Sequence, residues 1–330
     1  MFLTGRGGKC LAAVLTALPL SVEQPRPPRY SSEIRIYDVV TRETTIVHRA
    51  DDVWEAPNWS HDGKFLLVNS SGRLFRIPTS GQAAPDPIAL DPGLRCNNDH
   101  GFSPDGTLLA ISASSSSSQQ SQIYVARADG SRPQPVVSAA PSYFHGWSPD
   151  GKFLAFVANR DGKQYDLYRI SAPGGNGDRH EERLTSDAAY DDGPDYSPDG
   201  RWIYFNSNRG GGWNIWRMPA EGAGPADGRA EKITDDDLED WFPHPSPDGR
   251  TLVFLSFPRG TPGHDDRDAA VALRTIPLPG NDVNDVPRVR PVTIGRLTGG
   301  QGTINVNSWA PDSRRFAYVA YARLAADRDR

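Results

Sequence analysis

The feature that most constrains this chain is a five-residue motif, an aromatic or proline residue followed by a tetrad close to Ser-Pro-Asp-Gly, which occurs six times. The copies occupy residues 59–63, 102–106, 147–151, 196–200, 245–249 and 309–313. The aspartates of successive copies are 43 to 49 residues apart, except that the last interval is 64 residues. A period of this length is typical of solenoids and propellers, so the content of each repeat decides between them.

Each copy of the motif has the composition of a tight turn, and β-prone runs follow it. Proline presets φ, aspartate bonds nearby backbone groups, and glycine accepts a positive φ at the exit. One run comes directly after the turn, as at 65–68, and a second, alternating run follows a polar break, as at 74–77. A short charged run such as 183–185 has the character of an outer edge strand. Four strands, here called A to D, and no helical period predict propeller blades.

The ends of the chain predict how the ring of blades closes. Residues 33–37 have the pattern of a strand C and residues 45–48 that of a strand D, although both precede the first A–B hairpin. The sixth hairpin ends near Tyr321 with no such strands after it. We therefore expect residues 32–49 to complete the sixth blade, which removes an exposed sheet edge. The predicted fold is all-β, a six-bladed propeller of four-stranded antiparallel blades.

On these motifs the chain resembles the TolB-type six-bladed propellers, whose WD-like repeat carries an aromatic-Ser-Pro-Asp-Gly turn. The resemblance covers residues 31–321 and includes the B–C loops at 159–162 and 206–209. Two copies depart from the pattern, with His61 in place of proline and Ser313 in place of glycine. The resemblance implies a propeller that engages another protein, as the envelope family does with a peptidoglycan-associated lipoprotein. TolB itself has an additional N-terminal α/β domain, for which residues 1–30 are too short.

Composition indicates a single soluble domain over residues 31–330. Glycine and proline number 32 and 29, which suits a fold with many tight turns. The net charge is -5, and no basic run or stripe indicates a nucleic-acid partner. We expect a monomer without a transmembrane segment.

Residues 1–30 have the pattern of a signal peptide followed by a proline-rich linker. Arg6 and Lys9 precede an apolar run at 10–18, which is too short to span a bilayer. Export to the periplasm follows if this segment is a signal, and a cytoplasmic location follows if it is not.

No catalytic motif is present, whether a Gly-x-Ser-x-Gly elbow, a Walker loop, a Cys-x-x-Cys pair or a His-Glu-x-x-His pair. We therefore look at the segments that lead from the outer strand of one blade to the inner strand of the next, because they ring the mouth of the central channel. Carboxylate, imidazole or amide groups occur there in every blade. The candidate ligand-binding residues are Glu55, Asn58, Asn98, Asp99, His100, His145, Asp191, Asp192, Asp240, Trp241, His244, Gln301 and Asn305.

These groups support two kinds of binding site at the channel mouth. One is a pocket for a divalent metal or a carbohydrate, since histidine with carboxylates suits a borderline metal and Asn, Asp and aromatic side chains suit hydroxyls. His100, His145 and His244 are the candidate metal ligands, for manganese, zinc or calcium. The other is a polar mouth that docks a protein partner. A third interpretation, in which the groups only hydrogen bond across a wet channel, stays open.

An alternative function is that of a metal-dependent lyase or hydrolase acting on an acidic oligosaccharide. Propellers of similar appearance include metal-dependent lyases with histidine and glutamine ligands, and this likeness implies Gln301 as a further ligand and Asp191 or Asp240 as the base. The metal would neutralise a substrate carboxylate and ease proton abstraction beside it. The ligand spacing of those lyases is not reproduced in this chain, so binding is favoured over catalysis.

Two insertions stretch the fifth repeat. One, at 258–270, lies between strands B and C and carries His264 beside several aspartates. Because B–C loops and the connections between blades emerge on the same face, we expect this loop to overhang the channel mouth. The other insertion lies at 280–291. The six turns should lie on the opposite face, away from the site.

Overall fold

The computed structural model describes residues 29–81, 83–174, 180–261, 263–278 and 290–325. The segment predicted as a signal and most of the 280–291 insertion lie outside the described residues. In the described ranges the chain forms six antiparallel sheets around a central channel, with two short 3₁₀ helices, Pro225–Asp227 and Gln301–Thr303. None of the helices in these ranges is long and apolar enough to cross a membrane.

The sheets follow one another around the ring in chain order. The first two strands, β1 (Tyr30–Asp38) and β2 (Thr44–Ala50), belong to blade 6. Blade 1 consists of β3 (Trp54–Trp59), β4 (Phe65–Ser70), β5 (Arg73–Pro78) and β6 (Asp86–Pro87). Blade 2 consists of β7 (Leu94–Phe102), β8 (Leu108–Ser115), β9 (Gln122–Arg127) and β10 (Gln134–Val137). Blade 3 consists of β11 (Ser142–Trp147), β12 (Phe153–Ala158), β13 (Asp166–Ser171) and β14 (Glu182–Arg183).

The remaining blades complete the ring. Blade 4 consists of β15 (Asp191–Tyr196), β16 (Trp202–Ser207), β17 (Asn214–Pro219) and β18 (Glu231–Lys232). Blade 5 consists of β19 (Leu238–Pro245), β20 (Thr251–Pro258), β21 (Ala270–Pro277) and β22 (Val292–Thr298). Blade 6 adds β23 (Arg315–Arg323) to β1 and β2.

The predicted closure of the ring is confirmed. Strand β1 pairs antiparallel with β23 from Tyr30 opposite Arg323 to Asp38 opposite Arg315, so the two ends of the propeller share one sheet. Blade 6 differs from the other five in its innermost segment, because 304–309 pairs with the sheet only through a bridge between Trp309 and Phe316. The 3₁₀ helix Gln301–Thr303 precedes this segment.

The six turns have the hydrogen bonding that their composition predicts. In five of them the serine Oγ donates to the aspartate Oδ1 at 2.6 to 2.8 Å, and the glycine has a φ of 67° to 71°. In the sixth, Ser313 takes the glycine position with a φ of 58°, which costs a non-glycine residue conformational energy. Each turn joins an innermost strand to the second strand of its blade, so all six lie on one face of the ring.

The second strand of each blade forms the centre of the packing between neighbouring sheets. Leu66, Leu154, Phe205 and Val253 are completely buried, and the strands that carry them are buried on both faces. This explains their continuous apolar runs, since a blade in a ring packs against a neighbour on each side. Burial of apolar surface between blades therefore holds the ring together and fixes the inner strands around the channel.

Hydrogen bonds from two of the motif aromatics also tie inner strands to the preceding blade. The indole of Trp147 donates to the carbonyl of Gly101 at 3.0 Å, and that of Trp309 donates to the carbonyl of His244 at 3.0 Å. The aromatic residue of the turn motif thus anchors an inner strand to the blade before it. These hydrogen bonds help to position the side chains that line the channel.

Candidate binding site in the central channel

The central channel has two ends with different surroundings. We call the end that carries the six motif turns the turn face, and the end that carries the connections between blades and the 258–270 loop the loop face. Residues early in each inner strand lie toward the loop face, and residues just before each turn lie toward the turn face. The two halves are described in that order.

The pairing between inner and second strands shifts in blades 1 to 5, and in three of these inner strands the shift includes a residue of positive φ. In blades 1, 4 and 5 the pairing between the inner and second strands shifts, and the backbone there takes a positive φ at Ala56, Gly193 and Phe242 (54°, 60° and 55°). A proline follows each of these residues in the sequence. A β-bulge of this kind reorients the side chains on either side of it. The residues before and after the bulge therefore enter different surroundings.

A carboxylate held between two imidazoles dominates the loop-face half. Asp192 Oδ1 lies 3.2 Å from His145 Nε2, and Asp192 Oδ2 lies 3.5 Å from His264 Nε2. Burial opposes ionisation of Asp192, but its contacts with the two imidazoles hold the pKa of Asp192 well below its usual value. Burial likewise opposes protonation of His145, and the contact with Asp192 nevertheless raises the pKa of His145. Both shifts favour the charged forms of His145 and Asp192, which together form an ion pair.

A second buried carboxylate lies beside this ion pair. Asp99 accepts hydrogen bonds from the amides of Asn97, at 2.6 Å, and of Asn305. Burial raises the pKa of Asp99 to about 6, and the nearby charge of His145 limits that rise. Asn98 joins the same group, because the Asn305 amide also lies 3.4 Å from its backbone carbonyl.

The 258–270 loop covers this half of the channel, in agreement with the predicted overhang. The backbone carbonyl of His264 accepts a hydrogen bond of 2.7 Å from the backbone N–H of Gln301, and the His264 ring lies 4.3 Å from that of Trp241. Arg267 forms an ion pair with Glu55 on the inner strand of blade 1. The loop thus bridges blades 5, 6 and 1. Asp99, Asp192 and Asn305, which sequence analysis placed at an open mouth, are buried beneath it.

The two candidate bases lie outside the channel cavity, between strands of their own blades. Asp191 is completely buried and accepts two hydrogen bonds, of 2.9 and 2.8 Å, from the guanidinium of Arg209. Asp240 accepts a hydrogen bond of 2.6 Å from the hydroxyl of Ser256, and Arg274 Nη1 lies 3.3 Å away. Burial raises the pKa of Asp240 to about 7 against the effect of these contacts.

The three candidate metal ligands have different surroundings. His145 contacts Asp192, whereas His244 lies between Asp195 Oδ2, 3.0 Å from Nδ1, and the carbonyl of Ile304, 2.6 Å from Nε2. His100 has no hydrogen-bond partner among the described residues at either ring nitrogen.

One acidic group in the described ranges brings three donor oxygens close enough to share a cation. It consists of Asp187, Asp191 and Asp227. Arg209 lies within 2.8 to 3.7 Å of all three carboxylates and occupies the position between them that a cation would take.

The turn-face half contains a cavity of about 350 Å³. The third residue of every turn motif lines it, and these are His61, Pro104, Pro149, Pro198, Pro247 and Pro311. Its walls include Phe102, Phe144, Trp147 and Trp309. The six motif residues form the rim of the cavity. All of them except the half-buried Pro198 are exposed, so the cavity opens to solvent between the turns.

Polar groups without partners lie along this cavity. His100 is completely buried, both of its ring nitrogens lack a hydrogen-bond partner among the described residues, and burial lowers the pKa of His100 to about 3. Asn58 donates through its amide to the carbonyl of Asn307 at 2.7 Å, but its Oδ1 has no partner in the described part of the chain. The carboxylate of Asp195 also lines the cavity and accepts from the amide of Asn307 at 2.8 Å. Buried polar groups are normally hydrogen bonded, so unpartnered atoms of residues that line a cavity are candidates for hydrogen bonds to a bound molecule.

Three of the candidate residues line this cavity, namely Asn58, His100 and His145. Sequence analysis missed Asp195, Asn307 and the rim residues. The sequence contains a pattern that identifies Asp195. Asn58, Asp195 and His244 each stand four residues before the turn aspartate of their repeat, so they occupy equivalent positions. Asp195 and Asn58 belong to the part of the strand that follows the bulge.

Comparisons with known proteins agree with the fold and its repeats. Residues 102–270 match the family model of the TolB beta propeller domain. An uncharacterised protein of Agrobacterium fabrum is 42% identical over 290 residues, which are 88% of this chain and 92% of that protein. A solved structure from Agrobacterium tumefaciens, provisionally named TolB, is 41% identical over 89% of this chain and 99% of its own, with a TM-score of 0.80. TolB from Acinetobacter baumannii shares the fold, at 18% identity and a TM-score of 0.57 over 81% of this chain and 66% of that one. The chain therefore belongs to the TolB β-propeller family.

Proposed function

We propose that this protein is a binding module, and that its ligand or a group of a partner protein enters the central channel from the turn face. The observation that carries the proposal is the open cavity of about 350 Å³ with the unpartnered imidazole of His100 at its inner end. Concave sites of this size with a few convergent polar groups are the usual places where proteins bind ligands.

The rim of the cavity supports the same function. Five prolines and His61 surround the opening, and proline has little conformational freedom to lose when a partner packs against it. His61 is fixed as well, since its Nε2 lies 2.6 Å from the carbonyl of Ser103 in the next turn. A rigid, mostly apolar rim around a polar interior is suited to a partner that inserts one group and rests on the turns.

The partners of the two candidate bases favour binding over catalysis. Asp191 is held by Arg209, and Asp240 is hydrogen bonded to Ser256, so neither carboxylate faces the cavity in which a substrate would lie. A general base must be within hydrogen-bond reach of the proton that it removes. The His145 and Asp192 pair is likewise occupied by its own contact.

Photo-crosslinking from each face tests the proposal. A photoreactive amino acid at Pro149, on the turn-face rim, is expected to give covalent adducts when the protein is irradiated in its host cells, and mass spectrometry identifies them. The matched position is Asp265, whose side chain is 85% exposed on the loop face. Adducts from position 265 together with none from position 149 would refute a ligand that enters from the turn face.

We also propose that the protein is exported to the periplasm, because residues 1–30 resemble a signal peptide and TolB-type propellers are envelope proteins. N-terminal sequencing of the protein isolated from its host tests this. Removal of a segment ending near the proline-rich linker is expected, and an intact N-terminus would contradict export by this route.

A further inference from the structure

The residues that line the turn-face cavity indicate the chemical class of the ligand that it binds. An inference of this kind rests on the proposed function. The cavity is lined by hydrogen-bonding groups of both kinds, donors and acceptors, and by aromatic side chains. We propose that the group it binds is a neutral, hydroxyl-rich one of the size of a single sugar residue.

The imidazole of His100 limits which chemical groups a ligand can place beside it. Its ring is completely buried, lines the cavity and has no partner at either nitrogen within the described chain. A neutral imidazole presents one N–H donor and one acceptor nitrogen, whichever tautomer is present. A hydroxyl group both donates and accepts, so hydroxyls can satisfy both nitrogens. A carboxylate accepts only, and an ammonium group donates only.

The other polar groups that line the cavity are mainly hydrogen-bond acceptors, so they require a ligand that supplies donors. Asn58 Oδ1 is an acceptor without a partner, and the Asp195 carboxylate is an acceptor that lines the cavity. A ligand that brings several O–H groups can bond to these oxygens and to His100 at once. An anionic ligand would leave Asn58 Oδ1 unpaired and would lie beside the carboxylate of Asp195, and leaving a buried acceptor unpaired is unfavourable.

The size and walls of the cavity agree with a sugar. A volume of about 350 Å³ holds a monosaccharide but not a long oligosaccharide. The side chains of Phe144, Trp147 and Trp309 contribute apolar surface beside the polar groups. A sugar ring is amphipathic in the same way, with C–H groups on its faces and hydroxyls around its edge.

Nuclear magnetic resonance of the full-length protein with ¹³C-labelled histidine tests the inference. D-Glucose and N-acetyl-D-glucosamine serve as hydroxyl-rich probes, 1,4-diaminobutane as a cation and succinate as an anion. We expect at least one sugar to shift the ring signals of His100 in a saturable way, and the other two probes to leave them unchanged. No shift with either sugar, or a shift with diaminobutane or succinate instead, overturns the inference.

Two variants and a matched control make the result specific. His100→Phe keeps a ring of similar size without its nitrogens and is expected to weaken sugar binding at least tenfold. The same substitution at His48, another ring with an unpartnered Nε2 but outside the cavity, is expected to leave binding unchanged. If His100→Phe does not fold, Asn58→Ala is titrated instead, with an expected loss of at least threefold. Unchanged sugar affinity in whichever of these two variants folds would refute the site.

This test and the test of the proposed function fail in different ways. If position 149 crosslinks to a partner while no sugar shifts His100, binding at the turn face stands and the ligand is of another class. If sugars shift His100 while position 149 gives no adducts, the cavity binds sugars but does not engage a partner across its rim.

Discussion

At the loop face of the channel, buried carboxylates, imidazoles and amides from several blades bond to one another beneath the 258–270 loop. At the turn face, prolines surround an open cavity in which His100 and Asn58 Oδ1 have no partner in the described chain. The loop face is thus the richer in ionisable groups, and Asp192, His145 and Asp99 there already have partners, although His145 Nδ1 has none in the described chain. The comparison teaches that a concentration of His and Asp marks structural cross-bracing as readily as a binding site, and that partners distinguish the two.

The largest expected effect is that of breaking the central ion pair of the loop face. Asp192→Asn removes the carboxylate between His145 and His264, and losing one member of a buried pair is expected to lower the free energy of unfolding by about 3–5 kcal/mol. Urea denaturation measures this difference. Asp265→Asn, at an exposed position of the same loop, is the control and should change it by less than about 0.5 kcal/mol. Equal stability of the Asp192 and Asp265 variants would mean that the loop face is not braced by this pair.

An effect of intermediate size is expected from the pH dependence of Asp240. Burial raises the pKa of Asp240 to about 7, so between roughly pH 4 and pH 7 the folded state keeps a proton that the unfolded state has lost. The contribution of Asp240 to the free energy of unfolding therefore falls as pH rises through this range. Asp240→Asn lacks the carboxyl group, and its stability relative to the wild type should increase from pH 4.5 to pH 8. Parallel pH profiles of the two proteins, measured by urea denaturation, would exclude a raised pKa for this group.

The smallest expected effect is that of changing the turn-face rim. Pro149 is exposed, and Pro149→Ala removes a conformational restraint worth about 0.4–1 kcal/mol without disturbing a buried partner. Thermal denaturation should therefore show a minor loss of stability, and Pro247→Ala should behave in the same way. A loss as large as that of Asp192→Asn would show that both faces are structural and would remove the contrast between them.

The fold was predictable because its determinants are local. Each Ser-Pro-Asp-Gly turn fixes its own hairpin, as the bond from Ser103 Oγ to Asp105 illustrates, and six such hairpins leave only the closure of the ring to be inferred. Residues 33–37 carried that information, since a strand C without a preceding hairpin needs a partner elsewhere.

The candidate site was only partly predictable because its geometry is not local. Counting back from each turn locates the inner strand correctly, but the bulge at Gly193 changes which side chains enter the channel, so Asp191 lies inside its blade and Asp195 reaches the cavity. Closure of the loop face depends on the contact between Arg267 and Glu55, which are 212 residues apart in sequence. No pattern within one repeat encodes such a contact.

The seam between β1 and β23 also determines how the ring responds to tension. Tyr30 lies opposite Arg323 at one end of an antiparallel ladder, so both chain segments leave the seam from the same end. Force applied through these two segments would load the inter-strand hydrogen bonds one after another, starting at Tyr30, rather than all together. The strand pairs of the seam would therefore separate sequentially under load. The ring would open at this seam inside blade 6 before the other five blades unfolded.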